Sequence, residues 1–247
     1  MRGRHGSARR ALRRSVLLAV AVPIAAYAAL LFSPQVLFAH ELREGNLVFH
    51  ARHPFPEGSR TIAASTLDRV SRSPFFDAGD VYHVFFCDTP AWFAFFALHH
   101  YRVGAIAQVG TTGHVYVRPA GLDRDRLIGP SGRDVPGERT LTYFLAHEIA
   151  HTMTARHVGR LAYLRLHPWQ QEGYADYVGK AGAFDFAARL SDLRAGARTM
   201  DPMASGLYLR YHLLVAELLD RRGITPGELM AEPRDAVPIE RELSRAR

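Results

Sequence analysis

The residues of this chain best suited to chemistry sit in one short run, His147-Glu148-Ile149-Ala150-His151. Two histidines four positions apart share one face of a helix, where both imidazoles can grip a single ion. The glutamate between them stands one step round, placed to polarise water at a metal without binding the metal itself. The neighbouring pattern is helical. Leu141, Phe144, Leu145, Ile149, Thr152 and Met153 form a core-facing stripe. His147 lies about 200° round from Leu145 at about 100° per residue, so the histidines look away from that stripe. Gly159 is the expected helix stop.

A catalytic zinc keeps three protein ligands and one open position, so a third ligand decides the reading. Downstream comes Trp169-Gln170-Gln171-Glu172-Gly173-Tyr174-Ala175-Asp176-Tyr177. Glu172 follows His151 by 21 positions, enough chain to end one helix, turn and return on a second. Pro168 suits the first turn of that second helix. Asp176 lies one turn beyond Glu172 on the same face, where it can accept the distal N–H of a ligating histidine.

An HExxH helix followed by a helix carrying Glu-x-x-x-Asp resembles the gluzincin metallopeptidases, and Trp-x-x-Glu-Gly-Tyr-Ala resembles their aminopeptidase branch. The resemblance covers residues 141–178, under a fifth of the chain. It implies one Zn2+ held by His147, His151 and Glu172, with Glu148 as general base and Asp176 orienting a ligand histidine. The metzincin extension is incomplete, because Thr154 stands where its glycine is required, three positions after His151. The Gly-x-Met-x-Asn-type substrate motif of the aminopeptidases is also missing, so exopeptidase action is not implied.

Peptide hydrolysis also calls for a donor aimed at the developing oxyanion. Tyr208-Leu209-Arg210 resembles the Tyr-x-Lys-Gly segment that supplies this tyrosine in some gluzincins, although no glycine follows Arg210. Tyr208 is the first candidate, and Tyr211 and His212 are its rivals. The same stretch also reads as a packing helix, with Leu207, Tyr211, Leu214 and Leu218 at helical spacing. His114-Val115-Tyr116-Val117-Arg118 alternates as a half-exposed strand and is the candidate edge for pairing with a substrate backbone. His83, His99, His100, His157 and His167 are assigned no role. Cys87, the only cysteine, reads as a small buried hydrophobe and excludes an internal disulfide framework.

These groups must be positioned by a chain of 247 residues, 48% hydrophobic and 22% charged, a globular composition. Six of its seven net positive charges lie in the first fourteen residues, and no acid precedes Glu41. The basic balance therefore describes a tail and gives no evidence for nucleic-acid binding. Residues 16–32 carry no charge, and the apolar region from 15 to 39 exceeds the ~20 residues needed to cross a bilayer. Flanking arginines keep the N-terminus cytoplasmic and the rest of the chain across the membrane. A cleaved signal with its small-x-small site at Ala26-Tyr27-Ala28 is one alternative and a buried core helix, which would not explain the flanking arginines, is the other.

Strands are expected over 47–50, 81–86, 103–109 and 114–118, with helices over 57–72 and 90–100. A Gly/Pro-rich loop over 129–137 precedes helices over 138–158, 169–179 and 205–222. Strands first and helices after reads as α+β. The expected layout is an Arg-rich tail (1–14), an anchor or signal (15–39), a metallopeptidase domain (40–232) and a polar C-terminal tail (233–247). The expected function is a membrane-anchored zinc peptidase acting on peptide or protein substrates outside the cytoplasm. The alternatives are a catalytically idle zinc-containing peptide-binding module and an envelope scaffold.

Overall fold

The computed structural model describes residues 3–245 apart from Tyr101, Pro130, Pro136 and Glu138, with backbone alone for residues 3–14 and His99. The arginine side chains of the expected N-terminal tail and the imidazole of His99 thus lie outside the described set. Helix α1 (Gly3–Phe32) contains one apolar span, Ser15–Phe32, long enough to cross a membrane, as an anchor or a signal sequence would be. The expected continuation to residue 39 does not form. Pro34 lacks an N–H, the chain tightens into a 3-10 turn over Pro34–Leu37, and Phe38 turns back into protein.

The fold is mixed α/β. Strand β1 (His40–Glu44) pairs antiparallel with β2 (Leu47–Ala51) through the two-residue turn Gly45-Asn46, where Gly45 sits at φ 57°. Helix α2 (Ser59–Ser71) carries the chain to β3 (Tyr82–Phe86), parallel to β2. Helix α3 (Pro90–Ala97) starts where Thr89 Oγ1 accepts from the Trp92 N–H, and a 3-10 turn over Leu98–His100 ends it. Then come β4 (Ala105–Ala107) and β5 (Val115–Val117), which pair antiparallel. The sheet order is β1-β2-β3-β5-β4. A small hairpin of β6 (Ala120–Gly121) and β7 (Arg126–Leu127) leads to the helical half.

The first half is a small sheet with helices between its strands, as expected, and the second half is helical. One expectation changes here. The segment 114–118 is not an edge, because β5 lies between β3 and β4. Its alternation suggested one wet face, but Tyr116 is covered by Phe85 and Phe96. The free edge on this side is β4.

The sheet separates two apolar clusters, because neighbouring residues of a strand point to opposite faces. Phe49, Val84, Phe86, Val115 and Val117 join the main core beneath the second-half helices. Phe85, Cys87 and Tyr116 face the other way, against Phe38, Phe93 and Phe96. His50 and His83, unremarkable in the sequence, lie on that second face and meet at 2.8 Å between Nε2 and Nδ1.

The second half contains α4 (Leu141–Val158), α5 (Arg160–Tyr163), α6 (Pro168–Lys180), α7 (Phe186–Arg194), α8 (Pro202–Ser205), α9 (Leu209–Ala216), α10 (Pro226–Met230) and α11 (Val237–Arg245). The helix expected over 205–222 is divided. Gly206 at φ 65° closes α8, Tyr208 stands at the N-cap of α9, and a π turn over Glu217–Arg221 follows α9. The expected polar tail at 233–247 also contains structure. Ile239 and Leu243 on α11 are buried in the core. Gln170 on α6 ties down the approach, donating through Nε2 to the Leu229 and Glu232 carbonyls and accepting from the Arg234 N–H.

Candidate metal centre

Helix α4 begins where local chemistry satisfies its first free N–H groups. Thr140 Oγ1 accepts from Tyr143 at 3.1 Å, and Asp125 Oδ1 accepts from Thr142 at 2.7 Å. The expected start at Glu138 falls on an undescribed residue. Leu141, Leu145, Ile149 and Met153 are buried as the stripe required, and His147 and His151 are buried too, beneath the helices that follow. Helix α6 starts at Pro168, with Gln170 Oε1 accepting from the His167 N–H.

Gly173 sets how closely α6 approaches α9. A Cβ there would lie 2.6 Å from the Tyr211 carbonyl oxygen. The glycine of Glu172-Gly173-Tyr174 is therefore a packing requirement, and it brings Glu172 toward the chain around Tyr208.

His147, His151 and Glu172 each turn one ligand atom to a common point, and these atoms all lie within 4.8 Å of one another. The two Nε2 atoms are 3.1 Å apart, and Glu172 Oε2 is 3.2 Å from His147 Nε2 and 3.7 Å from His151 Nε2. Tetrahedral ligands ~2.0–2.1 Å from a zinc ion stand ~3.3 Å apart. Donor chemistry and spacing both fit, and the group can hold a metal ion. Burial works against the charged form of Glu172, but His151 and His147 beside it hold its carboxyl well below the usual range.

Glu148 stands outside this group. Its Oε2 accepts the backbone N–H of Ala107 on β4 at 2.7 Å, which ties the carboxylate to the sheet edge. Tyr208 lies at the group, its ring stacked on His147 with centroids 5.5 Å apart and planes 10° from parallel. Burial raises the Tyr208 phenol, and Glu172 raises it further by charge and hydrogen bonding, so the hydroxyl keeps its proton. Tyr211 stacks behind Tyr208. His212 points elsewhere, its Nδ1 2.8 Å from Asp176 Oδ2.

Asp176 differs most from its expected place. Its partners are the Tyr143 hydroxyl, His212 and Lys180, and among the described residues no hydrogen bond joins it to His147 or His151. The aromatic ring of Tyr143 intervenes, 5.7 Å from the His147 ring. The Nδ1 of His147 is buried without a partner. Burial opposes ionisation of Asp176, yet His212 and Lys180 hold its carboxyl below the usual range. The residue that hydrogen-bonds to the far nitrogen of a histidine in this group is Tyr163, with its hydroxyl 2.5 Å from His151 Nδ1. Sequence reasoning missed it, because Tyr163 sits on the four-residue helix α5, too short to leave a periodic signal.

The arrangement combines three donors that could hold a metal ion, a carboxylate anchored just outside them, and a protonated phenol against the His147 ring. Comparison with protein-family models, with curated proteins and with solved structures finds no match to this chain.

Proposed function

We propose that this chain is a membrane-anchored, zinc-dependent peptidase of gluzincin type, with its catalytic region outside the cytoplasm. The observation that carries the reading is the division of labour among four residues. His147, His151 and Glu172 converge on one point, while Glu148 is held apart by Ala107. Two imidazoles and one carboxylate, with no thiolate, form a donor set suited to zinc. Zinc in this site supplies Lewis acidity toward a carbonyl and lowers the pKa of water.

The chain's own groups perform the remaining work. Glu148 has one oxygen fixed by Ala107 and the other available to accept a proton and pass it to the leaving amine. Ligation through Nε2 leaves the proton of His151 on Nδ1, where it donates to the Tyr163 oxygen and fixes the ring. Tyr208 retains its proton and donates toward the developing oxyanion. A substrate strand added to β4 passes beside Glu148, in place of the pairing expected at 114–118.

The membrane assignment rests on α1 and on the arginines before it. The experiment for the whole reading is a peptide-library digest by purified full-length protein, with and without chelator. Cleavage that disappears with chelator and returns with zinc supports it, and a zinc-loaded protein that cuts nothing contradicts it.

A further inference from the structure

Helix α3 is unusual for a surface helix. Its residues, Pro90-Ala91-Trp92-Phe93-Ala94-Phe95-Phe96-Ala97, include no charged side chain, and Leu98 extends the run. A helix packed on a soluble protein buries one apolar stripe and shows water a polar face. Here Phe93, Phe96 and Ala97 are buried against the sheet, while Ala91 and Leu98 are exposed and Trp92, Ala94 and Phe95 are partly so. Both faces are apolar.

The position of α3 indicates what meets the outer face. Tyr27, within the apolar span of α1, donates its hydroxyl to the Phe95 carbonyl at 2.5 Å. The Tyr27 and Phe95 rings meet edge to face at 4.9 Å. Leu31 and Leu37 pack against the same cluster. Tyr27 precedes the end of α1 by five residues, or ~7.5 Å along a helix axis. If α1 crosses a bilayer, its partner Phe95 lies below the level at which α1 leaves the hydrocarbon. Amphipathic helices at membrane surfaces bury their apolar faces by ~5–10 Å, a matching depth.

The polar groups beside α3 fit such a boundary. The Arg52 guanidinium sits 5.4 Å from the centre of the Trp92 ring and pairs with Asp88 at 3.1 Å. Trp at the water–lipid boundary, with a cation at headgroup level, is the pattern of membrane interfaces.

We infer that α3 is a second membrane contact, lying in the leaflet where α1 ends and seating the catalytic region on the bilayer. This rests on the reading of α1 as a retained anchor and is independent of any peptidase activity. It also sets an orientation. Helix α3 covers one face of the sheet and α4 packs on the other, so the metal group is held on the side of the sheet away from lipid.

The test uses the full chain in phospholipid vesicles. Cys87 is buried, so L98C supplies one accessible thiol for a nitroxide label, and Ser191→Cys on exposed α7 supplies an aqueous reference. Collision with oxygen should dominate at position 98 and collision with a water-soluble nickel chelate at position 191. In the unsubstituted chain, lipids brominated near the headgroup should quench part of the tryptophan emission. That quenching should be lost in Trp92→Phe, because Trp169 is buried in the helical half. A nickel-dominated signal at position 98, or emission indifferent to brominated lipid while the protein stays in the vesicles, overturns the inference. Release of the protein from the vesicles removes its premise and overturns it too.

Discussion

The backbone N–H of Ala107 donates to Oε2 of Glu148 at 2.7 Å, so the edge strand of the sheet holds the carboxylate that the metal group excludes. The bond fixes one oxygen of the proposed base and leaves the other to the substrate side. Ala107→Pro removes the donor on an edge strand, where proline is tolerated. A hydrogen bond to a charged group is worth about 1.5–3 kcal/mol, so turnover should fall about 10–100-fold. Metal content by elemental analysis should stay at that of the unsubstituted protein.

Tyr208 is the proposed oxyanion donor. Tyr208→Phe keeps the ring against His147 and removes only the hydroxyl. Turnover should drop by about 10²–10³ with metal content retained. An unchanged rate would remove the phenol from the mechanism and leave no role for its contact with Glu172.

Gly173→Ala tests the approach of α6 to α9. The added methyl would meet the Tyr211 backbone, which cannot yield as a side-chain tip can. Overpacking of this kind costs about 1–3 kcal/mol. The midpoint of denaturant unfolding should fall, and metal affinity should fall with it, because Glu172 is the adjacent residue on the displaced helix.

Much of the metal group was legible because a helix repeats on a short ruler. Spacing alone put His147 and His151 on one face, and Pro168 with the distance to Glu172 gave the return helix. The partners behind the two histidines were not legible, because they depend on which rings fill the space between α4 and α6. Asp176 is expected against a ligand histidine, but its carboxylate is taken up by Tyr143, His212 and Lys180. The same limit applies to the sheet. Alternation in 114–118 marked a strand, but strand order is set by long-range pairing, and β5 is internal. The C-terminal stretch reads as polar in sequence. Its helix depends on two buried residues, Ile239 and Leu243, and on anchorage to Gln170.

Asp176 therefore predicts a stability effect more than a metal effect. Its carboxylate is held ionised by His212 and Lys180, below the ordinary carboxylate range. A depressed carboxyl contributes stability that is present above its unfolded pKa of ~3.9 and lost as pH falls through the folded value. Breaking a buried pair costs about 3–5 kcal/mol, and Asp176→Asn should lose an amount of that order at neutral pH. Urea unfolding in detergent should show the variant's deficit shrinking as pH drops below about 4. A deficit that stays constant with pH would mean the charge on Asp176 is not what stabilises the fold.

The most direct measurement is cleavage by Glu148→Gln alongside its metal content. Glutamine keeps the size of the side chain and an oxygen to accept from Ala107, and loses the basic oxygen. General-base catalysis contributes about 10²–10⁴-fold. The account predicts one zinc ion still bound per chain and peptide cleavage reduced by at least ~100-fold. A variant that keeps its zinc and cuts as fast as the unsubstituted protein would contradict the proposed mechanism.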